Sequence, residues 1–220
     1  MKKLFMILVA VIGLGFANSA SAEPVSGSLG YQHDYISGKN KVFEGALVVG
    51  SASVPLGNGF SVNHWFAYDP DGKKFFERDW SLVKKLSAFD AKVTGSASLN
   101  LYNFGAGYGD LAEQGDAASI EANASVPVAE GVSLFGGAES ITIISADGDF
   151  TTAYAGVKLQ KGGFYLKPRL QVQTNDSPYG RIDVGGSIDV GNGITFDPAA
   201  KVVVAEDRKP NFQVAVEVPF

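Results

Sequence analysis

The residues able to catalyse a reaction are few in this chain of 220 residues, which has no cysteine and only two histidines. His33 adjoins Asp34, but neighbouring side chains on a strand point to opposite faces, so we expect the two to be held apart. His64 falls on an apolar phase with Val62 and Phe66, which predicts a structural role. No G-x-S-x-G motif is present. The sequence therefore predicts neither an enzyme nor a thiol or zinc site.

Asp69 and Asp71, in the segment DPDGKK, are the best candidates for a calcium-binding loop. The same Asp-Pro-Asp-Gly sequence favours a tight turn without a metal, because an aspartate side chain bonds to backbone groups that follow it. We therefore predict no metal and no other cofactor. The formal charge of −5 and the lack of a Lys/Arg cluster also argue against nucleic acid as a partner.

Most of the other charged side chains lie in segments that alternate polar and apolar residues. Residues 164–174 show the pattern clearly: Leu166 and Leu170 share one face, and Lys167 and Arg169 share the other. A period of two is the spacing of a β-strand and does not fit a helix. Glycine, at 27 of 220 residues, and many Val, Phe, Tyr and Thr residues favour an all-β chain.

The alternating segments are about ten residues long, and two kinds of turn follow one another along the chain. Tight glycine turns such as 54–60 alternate with more charged turns such as 69–74, as in the hairpins of an up-and-down sheet. Residues 81–90 lack glycine, and we expect a longer turn or a short helix there. The predicted strands, about twelve with ten as the alternative, are 25–35, 41–54, 60–68, 74–84, 91–107, 117–127, 132–144, 150–160, 164–174, 181–190, 194–204 and 211–220.

The first 22 residues have the pattern of a secretory signal peptide. Lys2 and Lys3 precede an apolar run over 4–16, and a small-residue site ends at Ala22. The apolar run is shorter than the roughly 20 residues that a spanning helix needs. We expect cleavage after Ala22, which leaves a single secreted domain of residues 23–220.

Strand length separates the two all-β classes that fit the alternation. Soluble β-sandwiches also alternate, but their strands usually have about five or six residues. The segments here run through about nine to eleven residues, the length with which a tilted strand crosses a bilayer. Aromatic residues gather near the strand ends, as in the girdle of a membrane barrel. The sequence predicts a transmembrane up-and-down antiparallel β-barrel, in which 211–220 must pair with the strand that begins near Val25.

The chain ends on NFQVAVEVPF, with Val214, Val216, Val218 and Phe220 on one apolar face. This ending resembles the C-terminal signature of Gram-negative outer-membrane β-barrel proteins, although Pro219 departs from the usual neighbour of the last aromatic. The resemblance implies an integral protein of the cell outer membrane, in contact with lipid and lipopolysaccharide. It also implies that Phe220, Val218 and Val216 form the assembly signal read by the barrel assembly machinery.

The segment GYQHDY, residues 30–35, is similar to the first strand of the small monomeric porins for acidic oligosaccharides, which also have twelve strands. The dense arginine ladders of that family are absent from this chain. The similarity therefore implies architecture alone.

A barrel of twelve strands is wide enough to leave a narrow aqueous path, because diameter grows with strand number. Acidic and basic residues of the inward faces fall on different strands, and such separation produces a transverse field that orients charged or dipolar solutes. We predict a porin-like channel for passive diffusion of small hydrophilic solutes. The alternative is a structural or surface-binding barrel whose lumen is filled by salt bridges. The candidate pore-lining residues are Lys158, Lys167, Arg169, Lys201, Glu44, Glu121, Glu139, Asp183 and Glu217.

Overall fold

The computed structural model describes residues 24–90, 92–104, 117–144, 148–174, 176–191, 194–206 and 209–220. The predicted signal peptide and the whole segment 105–116, which includes the end of the strand predicted over 91–107, lie outside the described residues. The strands are β1 Ser26–Ser37, β2 Asn40–Gly57, β3 Phe60–Asp69, β4 Lys74–Ala88, β5 Val93–Phe104, β6 Ala117–Ala129, β7 Val132–Ile143, β8 Gly148–Lys161, β9 Phe164–Gln173, β10 Tyr179–Gly185, β11 Ile188–Gly191, β12 Ile194–Ala205 and β13 Asn211–Pro219. Across the described ranges, no helix is long and apolar enough to cross a membrane.

The strands form one closed antiparallel barrel in up-and-down order. Apart from β10 and β11, consecutive strands pair with each other, and β13 pairs with β1 to close the sheet. β10 and β11 are two parts of one crossing, since both pair with β12. The barrel therefore has twelve crossings, which confirms the predicted fold class.

The seam between β1 and β13 carries the ladder to the last residue of the chain. The register runs from His33 opposite Val214 to Ser28 opposite Pro219. Beyond it, the Phe220 amide donates to the Gly27 carbonyl at 2.9 Å, and the Gly27 amide donates to the Phe220 carbonyl at 3.0 Å. The predicted pairing of the last strand with the first is confirmed.

Side chains of β13 alternate between the two surfaces of the barrel wall. Phe212 and Val214 point outward and are 59% and 53% exposed, whereas Gln213 and Ala215 point inward. Directly paired residues share a face of the sheet, so the register extends this assignment around the barrel. Large apolar side chains such as Leu170 are exposed on the outer surface. An apolar surface of this extent is typical of a barrel that contacts lipid.

The longer turn or short helix expected over 81–90 was wrong. β4 continues to Ala88, and its pairing with β5 extends to Ala88 opposite Val93. The turn begins only at Phe89 and Asp90, whose φ angles are +52° and +54°. Non-glycine residues rarely adopt that left-handed conformation, so the lack of glycine misled the prediction.

The tenth crossing, predicted as a continuous strand over 181–190, is interrupted between β10 and β11. Gly186 faces Pro198 of β12 and donates its amide to the Pro198 carbonyl at 3.1 Å. Proline has no amide proton, so it cannot return the second hydrogen bond of the pair. Pro198 therefore accounts for the gap in the ladder.

His33 and Asp34 are in contact, which corrects the expectation that alternation holds them apart. His33 Nδ1 lies 3.2 Å from Asp34 Oδ1. Asp34 has a φ of +61° at an irregularity in the β1–β2 pairing, and this conformation takes it out of the alternation. Its carboxylate accepts hydrogen bonds from Lys41 Nζ at 2.7 Å and from the Gly45 amide at 3.0 Å. The carboxylate thus stabilises the bulge.

Replacing Asp34 with alanine is expected to loosen the β1–β2 hairpin. The change removes one charge-assisted hydrogen bond and one bond to an amide, at a cost of roughly 1.5–3 kcal/mol. Urea unfolding of the protein refolded in lipid vesicles measures the loss. Asp71→Ala, in the exposed turn after β3, is the control and should unfold like the unaltered protein. Equal stability of the two variants would show that the carboxylate of Asp34 does not support the bulge.

Candidate functional site

Charged side chains of opposite sign lie on different parts of the inner surface. We call Lys158, Lys167, Arg169, Arg181 and Lys201, on β8, β9, β10 and β12, the basic wall. We call Glu121 and Glu139, on β6 and β7, the acidic wall. The alternation and the strand register place both walls on the inward face.

Within the basic wall, Asp183 is the carboxylate that pairs with arginine. It accepts hydrogen bonds from Arg181 Nε at 2.8 and 3.0 Å, and Arg181 Nη2 lies 2.6 Å from its Oδ1. Arg169 Nη2 is 3.6 Å away, beyond hydrogen-bond distance. Lys201 Nζ donates to Gln213 Oε1 at 3.2 Å and to the Ile36 carbonyl at 3.3 Å. Basic groups thus outnumber the acid that they surround.

Two lysines of the basic wall lie beside an aromatic ring. Lys158 Nζ and Lys167 Nζ are 5.9 and 5.2 Å from the ring centroid of Tyr165. Neither lysine forms an ion pair with a carboxylate of the described residues. Neither lysine is thus neutralised by direct contact with a carboxylate of the described residues.

The acidic wall is built on a like-charge pair. Glu121 and Glu139 stand directly opposite each other on β6 and β7. Tyr154 donates its hydroxyl to Glu121 at 2.9 Å, while Tyr102 and Ser119 donate to Glu139 at 2.5 and 2.6 Å. In the described part of the chain, neither glutamate has a lysine or arginine within ion-pair distance. The hydroxyl groups orient the two carboxylates without neutralising them.

Tyr154 joins the two walls. Its hydroxyl bonds to Glu121, and the Arg169 guanidinium carbon lies 5.1 Å from its ring centroid. The ring covers Gly137 on the paired strand, where a Cβ atom would lie 2.8 Å from Tyr154 Cζ. Glycine at 137 therefore lets the tyrosine lie against the barrel wall between acid and base.

Two of the predicted pore-lining residues lie apart from both walls. Glu217 faces inward near the seam, where it accepts a hydrogen bond from the Ser28 hydroxyl. Glu44 precedes Gly45 in β2 and is exposed. The φ of +125° at Gly45 interrupts the alternation of the strand. Arg181 was not among the predicted pore-lining residues, although it lies two residues before Asp183 and so shares its face of the strand.

An apolar cluster occupies the inner surface on the side of β1–β4. Leu47, Val49 and Ala67 are fully buried, and aromatic side chains that include Tyr35 and Trp65 pack against them. Directly paired residues share a face of the sheet, and the pairing of Leu47, Val49 and Ala67 places them on the inward face. The cluster fills the interior of the barrel beside β1–β4, on the side away from the two walls.

The residues first considered for catalysis or metal binding have structural roles. His64 packs beside Trp80 and Phe66 on the outer surface, with centroids 4.2 and 6.2 Å apart. Asp69 Oδ1 accepts the amides of Asp71 and Gly72 at 3.0 and 2.9 Å, as in the predicted turn. Among the residues with described positions, no group of three or more His, Asp or Glu side chains is arranged to hold a metal ion.

No family model and no curated protein matches the sequence. Solved structures do match. The KdgM porin has a TM-score of 0.59 at 10% identity, over 89% of this chain and 98% of its own. An outer-membrane channel from Pseudomonas putida F1 gives 0.56 at 14% identity, over 94% and 97%. The NanC porin gives 0.52 at 9% identity, over 89% and 98%. The chain therefore has the fold of the outer-membrane porins.

Proposed function

We propose that this protein is an outer-membrane channel through which small hydrophilic solutes diffuse passively. The observation that carries the proposal is the pairing of like charges on the inner surface, with Glu121 opposite Glu139 and Arg169 opposite Arg181. Like charges directly opposite each other destabilise a sheet, and Glu121 and Glu139 have no basic partner among the described residues to offset that cost. Water in the lumen reduces both costs. Side chains of this kind suit a hydrated path better than a dry core.

The outer membrane of a Gram-negative cell is the location that these features support. The outer surface is apolar, and the solved structures with the same fold include outer-membrane porins. The apolar last strand and Phe220 suit recognition by the barrel assembly machinery. The basic start of the chain suits export as a signal peptide. Lipid and lipopolysaccharide then surround the assembled barrel.

A filled barrel without channel activity is the second candidate. The apolar cluster around Leu47 and Val49 favours it, as does Glu77, which faces inward and is 2% exposed. In an open channel, solutes would pass along β5–β12, on the side of the barrel opposite this cluster.

Swelling of vesicles that contain the refolded protein tests the channel. Vesicles placed in a neutral sugar should swell, at rates that fall steeply from a pentose to a trisaccharide, because the walls limit the width of the path. Vesicles with boiled protein are the control. Folded, heat-modifiable protein that admits no sugar of any size would support the filled barrel instead.

Replacing Lys158 and Lys167, the two lysines beside Tyr165, is expected to shift ion selectivity towards cations. Lys158→Gln with Lys167→Gln removes two positive charges from the inner surface and leaves its carboxylates in excess, and local charge sets the concentration of counter-ions in a pore. The reversal potential across a salt gradient measures the shift. Lys84→Gln with Lys161→Gln is the charge-matched control, because these two lysines face outward, Lys84 opposite Ala97 and Lys161 opposite Phe164. An unchanged reversal potential in the first variant would mean that ions do not pass the basic wall.

A further inference from the structure

We propose that the lumen favours short zwitterionic peptides, held along the wall between Glu121 and Arg169 with the peptide body against Tyr154. The inference rests on the proposed channel function and names its solute class. The ammonium group of the solute faces the acidic wall, and its carboxylate faces the basic wall. Its backbone amide lies between them.

The spacing of the charges sets the length of the solute. Glu121 accepts the Tyr154 hydroxyl at 2.9 Å, and Arg169 lies 5.1 Å from the centroid of the same ring. The tyrosine side chain therefore lies between Glu121 and Arg169, with its hydroxyl on the glutamate and its ring beside the guanidinium. An extended dipeptide spans roughly 7 Å, whereas a free amino acid is about half as long. We therefore take the dipeptide as the shortest solute that reaches both charged groups at once.

Two buried polar atoms beside Tyr154 indicate the chemistry of the solute. Gln171 stands opposite Tyr154, is 7% exposed and has no hydrogen-bond partner for its Oε1 among the described residues. Arg169, two residues earlier on the same face of β9, has no partner for its Nε in the same part of the chain. Buried polar atoms are almost always hydrogen-bonded, so unpaired ones call for an explanation.

A peptide group supplies the two partners that these atoms lack once the Arg169 and Gln171 side chains turn towards the solute. Its carbonyl accepts a hydrogen bond from Arg169 Nε, and its amide donates one to Gln171 Oε1. A sugar hydroxyl can do the same, but a neutral sugar has no charge for either wall. A simple anion satisfies the basic wall alone. A zwitterion with an internal amide is the class that uses the glutamates, the arginine and the glutamine together.

Swelling rates with matched solutes test the inference. Glycylglycine is the zwitterion, and N-acetylglycinamide is a neutral amide of similar size. We expect vesicles with the unaltered protein to swell severalfold faster in glycylglycine than in the neutral amide. Glu121→Gln and Arg169→Gln should each reduce this ratio towards one. Glu130→Gln, in the exposed turn between β6 and β7, and Lys161→Gln, exposed at the end of β8, should retain it.

Single-channel recording with the unaltered protein provides a test that needs no variant to fold. Glycylglycine should interrupt the current briefly, and the neutral amide at equal concentration should not. Equal swelling rates, or interruption by neither solute, would overturn the peptide inference while the channel stands. Retention of the full ratio in folded Glu121→Gln and Arg169→Gln would overturn it as well. Failure of neutral sugars to enter would instead overturn the channel itself.

Discussion

Replacing Gly30 with valine is expected to prevent closure of the barrel. Gly30 stands opposite Glu217 at the seam. A Cβ atom at this position would lie 2.2 Å from the Val216 carbonyl oxygen and 2.8 Å from Glu217 Cα. Both are backbone atoms of β13, so the closing strand must move away and lose hydrogen bonds. The cost should exceed the roughly 1–3 kcal/mol of ordinary overpacking.

The heat-modifiable folded band on a gel, after refolding into lipid vesicles, reports closure of the seam. Gly180→Ala is the matched control, because a Cβ atom there would lie 3.8 Å from its nearest neighbour, the Val204 carbonyl oxygen. We expect a full folded band for Gly180→Ala and little or none for Gly30→Val. A normal yield of folded Gly30→Val would show that the seam is looser than this register requires.

Replacing Val214 with arginine is expected to destabilise the barrel by roughly 2–4 kcal/mol, the cost of a cation on the lipid face near the bilayer midplane. Val214 lies in the middle of β13, points outward and is 53% exposed. It pairs with His33 on one side and Ala200 on the other. Neither of these partners carries a carboxylate, so the guanidinium would enter lipid without a directly paired acid.

The free energy of unfolding in vesicles, from urea titration, measures this cost. Ser98→Arg adds the same charge to the inner surface, opposite Glu121, and should change the stability far less. The pair of variants tests which face of the barrel meets lipid. If Ser98→Arg were the more destabilised of the two, the assignment of inner and outer faces would be reversed.

The strands could be predicted from the sequence because period-two alternation and turn chemistry are local properties. Closure also followed, since an unpaired edge is not tolerated in lipid. The departures have local causes that a single strand does not show. Asp34 leaves the alternation because Lys41 and Gly45 hold its carboxylate. The tenth crossing is interrupted by Pro198, which lies on another strand.

The charges of the site were visible in the sequence, but their arrangement depends on register. Lys167 and Arg169 show their face in their own strand. That Arg169 approaches the ring of Tyr154, and that Glu121 faces Glu139, follows only from the pairing of different strands. In the sequence, Gln171 does not differ from the other polar residues of β9. The structure shows that it is buried and that its Oε1 has no hydrogen-bond partner among the described residues. The phase of each charged residue is therefore a property of its own strand, whereas the two walls are a property of strand pairing.

The central claim is that the lumen is open to water and ions. Single-channel recording of the refolded protein in a planar bilayer tests it most directly. We predict discrete conductance steps in concentrated salt, with a reversal potential that responds to the charge of the basic wall. A silent bilayer that contains folded, heat-modifiable barrel would contradict the claim, and would mean that the cluster around Leu47 and Val49 closes the path.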